Sequence, residues 1–417
     1  MKIATMRRLD SWLGVPVCFV LTLWRRLFGR RLSTDFTPRR ILFVKLAEQG
    51  STVLAQGALR AAIRRVGREN VFFLLFAENR PILDLLGLIP PENVIAIDAC
   101  GLWGAVKGAL AAIWKMRQAG IDTAIDLEFF ARSSAALCYL SGACCRVGYH
   151  AFGGEASYRG DLMTHRLSFN PYLHTGQTFQ CMVEALDEPP ENFPMFARFP
   201  PEHPAGVRFR PGARETAEVE AILREQLGRP RKQRLILLNA NCSDMIPLRR
   251  WSGQRYVDLA RMLLDRFPDV CIAFTGAPDE GPAAQKLVEQ IGSPRCISMA
   301  GKTTLRQLLV LFSLAEVLVT NDSGPAHFAS LTPIDVVVLF GPETPQLFAA
   351  PSPRSHPLWA GLVCSPCINA FNNRASPCTN NVCMQQLTVP LVFNEVCRWL
   401  DQRVAAESSL HVSKVAA

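Results

Sequence analysis

The stretch Asn321-Asp322-Ser323-Gly324-Pro325, with His327 two residues on, carries the densest chemistry of this 417-residue chain. Short apolar, β-rich runs flank it at Val317–Thr320 and Val336–Phe340. The polar loop breaks the first run, and Pro325 suits the first turn of a helix reaching to about Leu331. A helix that opens at the C-terminal end of a buried strand turns free N–H groups and the positive end of its dipole toward a ligand, and phosphate is the usual occupant. Asp322 cannot ligate phosphate, but it accepts hydrogen bonds from sugar hydroxyls, and His327 can donate to a phosphate oxygen. Taken alone, Asp-Ser-Gly-Pro is equally an ordinary helix cap.

A second group lies near the start of the chain. The strand-like run Ile41–Leu46 contains Lys45 and leads into the loop Ala47-Glu48-Gln49-Gly50-Ser51, followed by an amphipathic helix over Thr52–Val66. Glu48 is a candidate general base for an acceptor hydroxyl, set against a solvated loop glutamate. Ser51 or Thr52 reads most simply as the helix cap, with Ser51 also a candidate for the acceptor side. Lys45 either binds an anion or ends the strand. Arg132-Ser133-Ser134 opens another helix at the same sheet edge, where contact with a polar ligand competes with capping. Asp161, His165 and His174 fall in a polar, irregular stretch with no zinc-protease or EF-hand spacing.

Further loops suit a nucleotide diphosphate: Asn239-Ala240-Asn241-Cys242-Ser243, the arginines Arg249 and Arg250 before Trp251, Gly276-Ala277, and Gly301-Lys302-Thr303-Thr304. Neither GxxxxGK[ST] nor GxGxxG occurs, so P-loop hydrolysis and hydride transfer are unsupported. Cys364, Cys367, Cys378 and Cys383 are spaced C-x2-C-x10-C-x4-C. That pattern leaves open a structural zinc, reduced packing cysteines or disulfides.

The elements that must position these residues alternate β and α. Strands are expected at Val71–Phe76, Val94–Asp98, Thr123–Leu127, Leu235–Leu238 and Val270–Thr275, besides those named above. Helices are expected at Trp103–Gln118, Arg132–Leu140, Ala213–Leu227, Gln254–Phe267, Leu305–Leu314 and Val389–Val404. This alternation predicts an α/β chain with doubly wound parallel sheets and ligands beyond the strand C-termini. Seven prolines between residues 187 and 212 mark a boundary. The expected division is an N-terminal segment to residue 37, domains at 38–200 and 201–404, and a disordered tail at 405–417.

A formal net charge of +9 favours an anionic partner such as a nucleotide, glycolipid or membrane surface, and no nucleic-acid-binding motif is present. Fourteen cysteines scattered through apolar elements suit a reducing, cytoplasmic setting. Residues 11–24 are apolar, with Arg7-Arg8 before them and Arg25-Arg26 and Arg30-Arg31 after. The run is too short for a span and lacks a cleavage site, so it reads as a peripheral helix placing Trp12, Phe19, Trp24 and Phe28 in lipid, or as a helix packed on the protein itself.

With these residues in view, the chain resembles the bacterial ADP-heptose:lipopolysaccharide heptosyltransferases, glycosyltransferase family nine, over roughly residues 40–400. The resemblance rests on 41–66, Asp126-Leu127-Glu128 with Arg132-Ser133, Arg146-Val147-Gly148-Tyr149, Arg249–Trp251, Ala300-Gly301-Lys302-Thr303, Asn321–His327 and Leu339-Phe340-Gly341-Pro342. It implies a GT-B fold, two Rossmann-like domains facing a cleft, with the nucleotide-sugar donor held mainly by the second. It also implies an inverting transfer needing no metal or other cofactor, at the inner face of the cytoplasmic membrane. The donor would be ADP-heptose, the acceptor a lipopolysaccharide-type or other lipid-linked saccharide. Asp322 would hold the donor sugar, while the N–H groups of Ser323 and Gly324, with His327, Thr303, Lys302 and Arg249, would lie near the diphosphate. One departure stands out. Where the family carries Leu-Gly-Asp, this chain has Gln49-Gly50-Ser51, which leaves Glu48, three residues before Ser51, as the candidate base. The departure also keeps open a transferase using a UDP- or GDP-sugar, and a GT-B protein that binds without turnover.

Overall fold

The computed structural model describes residues 10–29, 32–33, 36–98, 101–202, 208–242 and 246–415, with the backbone alone at residues 102 and 404–415. Arg7, Arg8, Arg30, Arg31 and Ser243 lie outside the described residues. The chain forms two compact units, Met1–Pro204 with Ile368–Ser376, and Ala205–Cys367 with Pro377–Ala417.

The first unit runs α1 (Gly14–Phe28), β1 (Ile41–Val44), α2 (Gln49–Leu54), α3 (Gln56–Val66), β2 (Val71–Phe76), α4 (Arg80–Leu86), β3 (Val94–Ile97), α5 (Gly101–Gln118), β4 (Thr123–Asp126), α6 (Arg132–Leu140), β5 (Cys145–Tyr149), β6 (His165–Leu167) and α7 (Thr175–Glu184). Its sheet is parallel throughout, in the order β3-β2-β1-β4-β5-β6. Central strands buried on both faces need unbroken apolar runs, and Ile41–Val44 is wholly buried. Leu42, Val44, Leu74, Ile95, Ile97 and Ala124 meet Ala112 and Met116 of α5, Ala135, Leu137 and Cys138 of α6, and Cys18 of α1 in one hydrophobic layer. Helix α1 docks there by a narrow face. Cys18 and Thr22 are buried, Arg25 pairs with Asp161, and Gly14 lies so close to Arg132 that a Cβ would meet its side chain at 2.7 Å. Gly160, at φ +68°, passes beside the Cys18 carbonyl, where a Cβ would sit 2.7 Å away.

The second unit runs α8 (Ala213–Leu227), β7 (Arg234–Asn239), α9 (Gly253–Arg266), β8 (Val270–Phe274), α10 (Gly281–Ile291), β9 (Cys296–Ser298), α11 (Leu305–Leu314), β10 (Val317–Asn321), α12 (Gly324–Ala329), β11 (Asp335–Phe340), α13 (Pro345–Phe348), β12 (Ser355–Trp359), α14 (Val382–Gln385) and α15 (Val389–Val415). Its sheet is again parallel, ordered β12-β11-β10-β7-β8-β9. Tyr256, Leu259 and Leu263 of α9 and Val392, Val396 and Leu400 of α15 pack on Ile236, Leu238, Ile272, Val319 and Val337.

Several expectations change. Helix α2 starts at Gln49, so Ser51 and Thr52 lie inside its first turn and cap nothing. The polar stretch holding His165 contributes an edge strand. The backbone of helix α15 is described as far as Val415.

Asp335, at the start of β11, receives Arg354 at 3.0 Å, Arg403 at 2.7 Å and His356 at 3.1 Å. Burial alone would raise its pKa, but His356, Arg403 and Arg354 outweigh that and hold it below the ordinary carboxylate value. A depressed folded pKa stabilises above the unfolded pKa, and the contribution is lost as pH falls through the folded value. Asp335→Asn should therefore cost about 2 kcal/mol at neutral pH. Urea unfolding of the variant and wild type should converge as the pH is lowered past about 4. A gap that stays constant into acid would show that ionised pairing is not its source.

Candidate active site

In the second unit, polar side chains gather where parallel strands end. Asn321 closes β10, its Oδ1 accepting from the Trp251 N–H at 3.0 Å while its Nδ2 donates to the Asn241 carbonyl at 3.1 Å. The loop after β7 is thereby pinned to the end of β10, and Trp251 is anchored again by Nε1 to the Leu387 carbonyl at 2.7 Å. This pinning delivers Arg249. Its guanidinium Nη1 stands 3.5 Å from Asp322 Oδ2 and 3.6 Å from Glu343 Oε2, all three side chains being buried. Burial lowers the Arg249 pKa, but Glu343 and Asp322 raise it further than burial lowers it, so the group is a permanent cation. Asp322 is held by its N–H to the Leu339 carbonyl, and Ser323 precedes α12 as its extended N-cap. His327 sits in α12 with its pKa lowered, chiefly by burial, so the imidazole is neutral at neutral pH. Arg249 Nε and His327 Nδ1 are buried without a protein partner. A buried polar atom left unpaired is costly, so these two are suited to a polar ligand. Lys302 is exposed and Thr303 half-buried, just ahead of Thr304, which caps α11 by accepting from the Gln307 N–H at 3.2 Å.

In the first unit the corresponding strand ends hold a closed ionic cluster. Lys45 is fully buried and donates to Glu128 at 2.9 Å and to Glu48 at 3.2 Å. Burial lowers its pKa, and Glu128 opposes that. Glu128 Oε1 also accepts the Leu46 N–H at 2.8 Å and the Ala47 N–H at 3.2 Å. Glu48 adopts φ +70°, a left-handed conformation that costs a non-glycine residue about 1 kcal/mol or more. Its Oε2 takes Lys45 and the Ser51 hydroxyl at 3.1 Å, and its Oε1 takes Arg374 from the 368–376 segment. Beneath lies a second buried group: Asp126 pairs with Arg159 and accepts from the Ser134 hydroxyl at 2.9 Å.

The structure thus brings Lys45, Glu48 and Ser51 together in one unit, and Arg249, Asp322, Ser323 and His327 in the other. Lys45 is saturated by carboxylates rather than open to an anion. Arg132 stands elsewhere: Asp10 accepts the Arg132 and Ser133 N–H groups and pairs with the guanidinium at 3.5 Å, tying α6 to the residues just before α1. His165 is buried with Nε2 3.0 Å from the Glu188 carbonyl, and His174 caps α7. Reading by sequence named Asn321 and Glu128 only as members of motifs, without a role, and missed Glu343 and Arg374. The Glu128 position was visible as an acid at a strand end, whereas Arg374 carried no signal.

The thirteen described cysteines are free thiols. Cys383 is buried, which raises its pKa, and Cys378 donates to the Asn380 carbonyl at 3.2 Å. Among the described residues no group of three His, Cys, Asp or Glu side chains is disposed to hold a metal ion. Cys367, Cys378 and Cys364 push the Cys383 thiol up further, so the four cysteines of the spacing lie near one another.

Two Rossmann-like units on parallel six-stranded sheets define the GT-B class. The Escherichia coli ADP-heptose lps heptosyltransferase II superposes with a TM-score of 0.64 at 17% identity, over 87% of this chain and 99% of that one. The E. coli heptosyltransferase WaaC with ADP gives a TM-score of 0.58 at 15% identity, over 86% and 99%. In sequence, lipooligosaccharide heptosyltransferase 2 of Haemophilus influenzae is 30% identical over 103 residues, and lipopolysaccharide heptosyltransferase 2 of Salmonella typhimurium 32% over 103. Each match spans 24% of this chain and 29% of the relative. The model of glycosyltransferase family 9 (heptosyltransferase) matches residues 110–375, and the chain belongs to that family.

Removing one member of a buried ion pair strands the other, at about 3–5 kcal/mol. Glu128→Gln should destabilise the first unit by that order, and adding Lys45→Met should recover a large part of the loss. Denaturant unfolding of the single and double variants checks this, since losses that simply add would show the pair to be uncoupled.

Proposed function

We propose that this chain is an inverting glycosyltransferase that moves heptose from ADP-heptose onto a hydroxyl of a lipopolysaccharide-type or other lipid-linked saccharide. The observation that carries the reading is the buried Arg249–Asp322–His327 group at the strand ends of the second unit, with unpaired polar atoms on Arg249 and His327. It is supported by the likeness to a heptosyltransferase whose structure holds ADP and to one with ADP-2-deoxy-2-fluoro heptose.

In this reaction the acceptor oxygen bonds to the anomeric carbon on the face opposite the diphosphate. The carbon–oxygen bond to the diphosphate breaks with its electron pair leaving on the phosphate oxygen. Asp322 accepts hydrogen bonds from the sugar hydroxyls and lies on the side of growing positive charge. Arg249, His327 and the N–H groups of Ser323 and Gly324 stabilise the departing anion, with Thr303 and Lys302 on the outer phosphate. Glu48 takes the acceptor proton on Oε2, the hydroxyl replacing that of Ser51. No residue of this scheme requires a metal or another cofactor.

Among the described residues no helix is long and apolar enough to cross a membrane. Phe19, Trp24 and Phe28 of α1, and Trp12 just before it, are instead exposed to solvent. We place the protein at the inner face of a bacterial cytoplasmic membrane, in peripheral contact through that helix.

Calorimetry with ADP, UDP, GDP and ADP-heptose tests the donor. ADP should be selected, and Asp322→Ala should weaken ADP-heptose about tenfold while leaving ADP nearly unchanged. Selective UDP or GDP binding would replace heptose with another donor, and no nucleotide binding would sink the transferase reading. Glu48→Gln should lower kcat about 100-fold or more with donor affinity intact, and unchanged turnover would remove Glu48 as the base.

A further inference from the structure

Helix α1 is not the sole apolar surface of the first unit. On α5, Trp103, Val106, Leu110 and Trp114 recur at intervals of three and four, which aligns them on one face. They are 78%, 43%, 62% and 60% exposed, whereas Ala112 and Met116 on the opposite face are buried against the sheet. Helix α6 packs against both α1 and α5, and all three contribute to one helical layer over one face of the sheet. The exposed stripes of α1 and α5 therefore belong to the outer side of the same layer. Neither helix carries an acidic residue, and their basic residues are Arg25, Arg26, Lys107, Lys115 and Arg117. Arg26, Lys107 and Lys115 are exposed.

We propose that α5 and α1 together form the docking face for an anionic lipid bilayer, with Trp103, Leu110 and Trp114 entering the headgroup–acyl boundary and Lys107 and Lys115 on the headgroups. This rests on the peripheral-membrane reading above and extends it from one helix to a plane. Charge complementarity favours lipid as the occupant: exposed tryptophans beside lysines match the membrane interface, whereas lysine is depleted from the centres of protein interfaces. Two helices also fix orientation, since a body held by one helix can roll about its axis.

The test is partitioning of the full chain onto vesicles of phosphatidylcholine with about a third phosphatidylglycerol. The triple variant Trp103→Ser, Leu110→Ser, Trp114→Ser should bind about tenfold more weakly or worse, with its circular dichroism and nucleotide affinity unchanged. Lys107→Glu with Lys115→Glu should lose affinity for these vesicles while leaving the apolar stripe in place. A companion set, Phe19→Ser, Trp24→Ser, Phe28→Ser, separates the two readings. If that set releases the protein while the α5 variants partition like wild type, α1 alone makes the contact and the present proposal fails. If wild type ignores the vesicles altogether, both readings fail. Light scattering supplies the last check: a wild-type dimer that the α5 variant converts to monomer would assign the face to a second copy of the chain.

Discussion

A lysine ammonium without water around it must be answered by carboxylates, and the first unit is arranged about that requirement. Lys45 directly follows the central strand β1 and is wholly buried. Glu128 reaches it from beyond β4 and, with its other oxygen, fixes the N–H groups of Leu46 and Ala47. Glu48 reaches it only by taking a left-handed backbone, and this sets the start of α2. The remaining Glu48 oxygen is answered by Arg374, so two cations face two anions and the group closes on itself. Closure matters because a lone charge at such depth is far more costly than a matched set.

The second unit solves the opposite problem. A single guanidinium stands between Asp322 and Glu343 at distances too long for strong pairing, and one of its nitrogens has no protein partner. A buried guanidinium nitrogen and a neutral imidazole nitrogen, both without a protein partner, are polar atoms the protein alone leaves unanswered. The same parallel architecture therefore hosts one self-satisfied polar group and one directed outward. Which is which follows from the side chains at the strand ends rather than from the fold.

Much of this was legible in the chain because buried parallel strands must be continuous apolar runs. Ile41–Val44, Val71–Phe76 and Val317–Asn321 announced themselves in that way, and Ala213–Leu227 and Leu305–Leu314 were bounded by their caps. The short edge strands His165–Leu167, Cys296–Ser298 and Ser355–Trp359 were not, since three to five residues of mixed polarity carry no period. The grouping of Asp322, Ser323 and His327 at the end of β10 was readable because they are close in sequence. Arg249 joined them only as a residue after a strand, and its second carboxylate, Glu343, sits one loop further on. Arg374 could not be read at all, because its partner Glu48 lies 326 positions away and no local pattern connects them.

The segment Ile368–Ser376 has a consequence for how the chain is made. It belongs to the first unit, yet about 160 residues of the second unit separate it from Pro204. Phe371 fills a place against Phe130 and Phe169, with ring centres 6.2 and 5.2 Å apart, and Arg374 completes the Glu48 pair. On the ribosome, at roughly 5–20 residues per second, the first unit waits about ten to thirty seconds for this piece. During that interval an aromatic surface stands uncovered and Glu48 lacks its arginine. Cutting the gene at the proline-rich boundary would make the wait permanent, so the first unit is not independent of the second in synthesis.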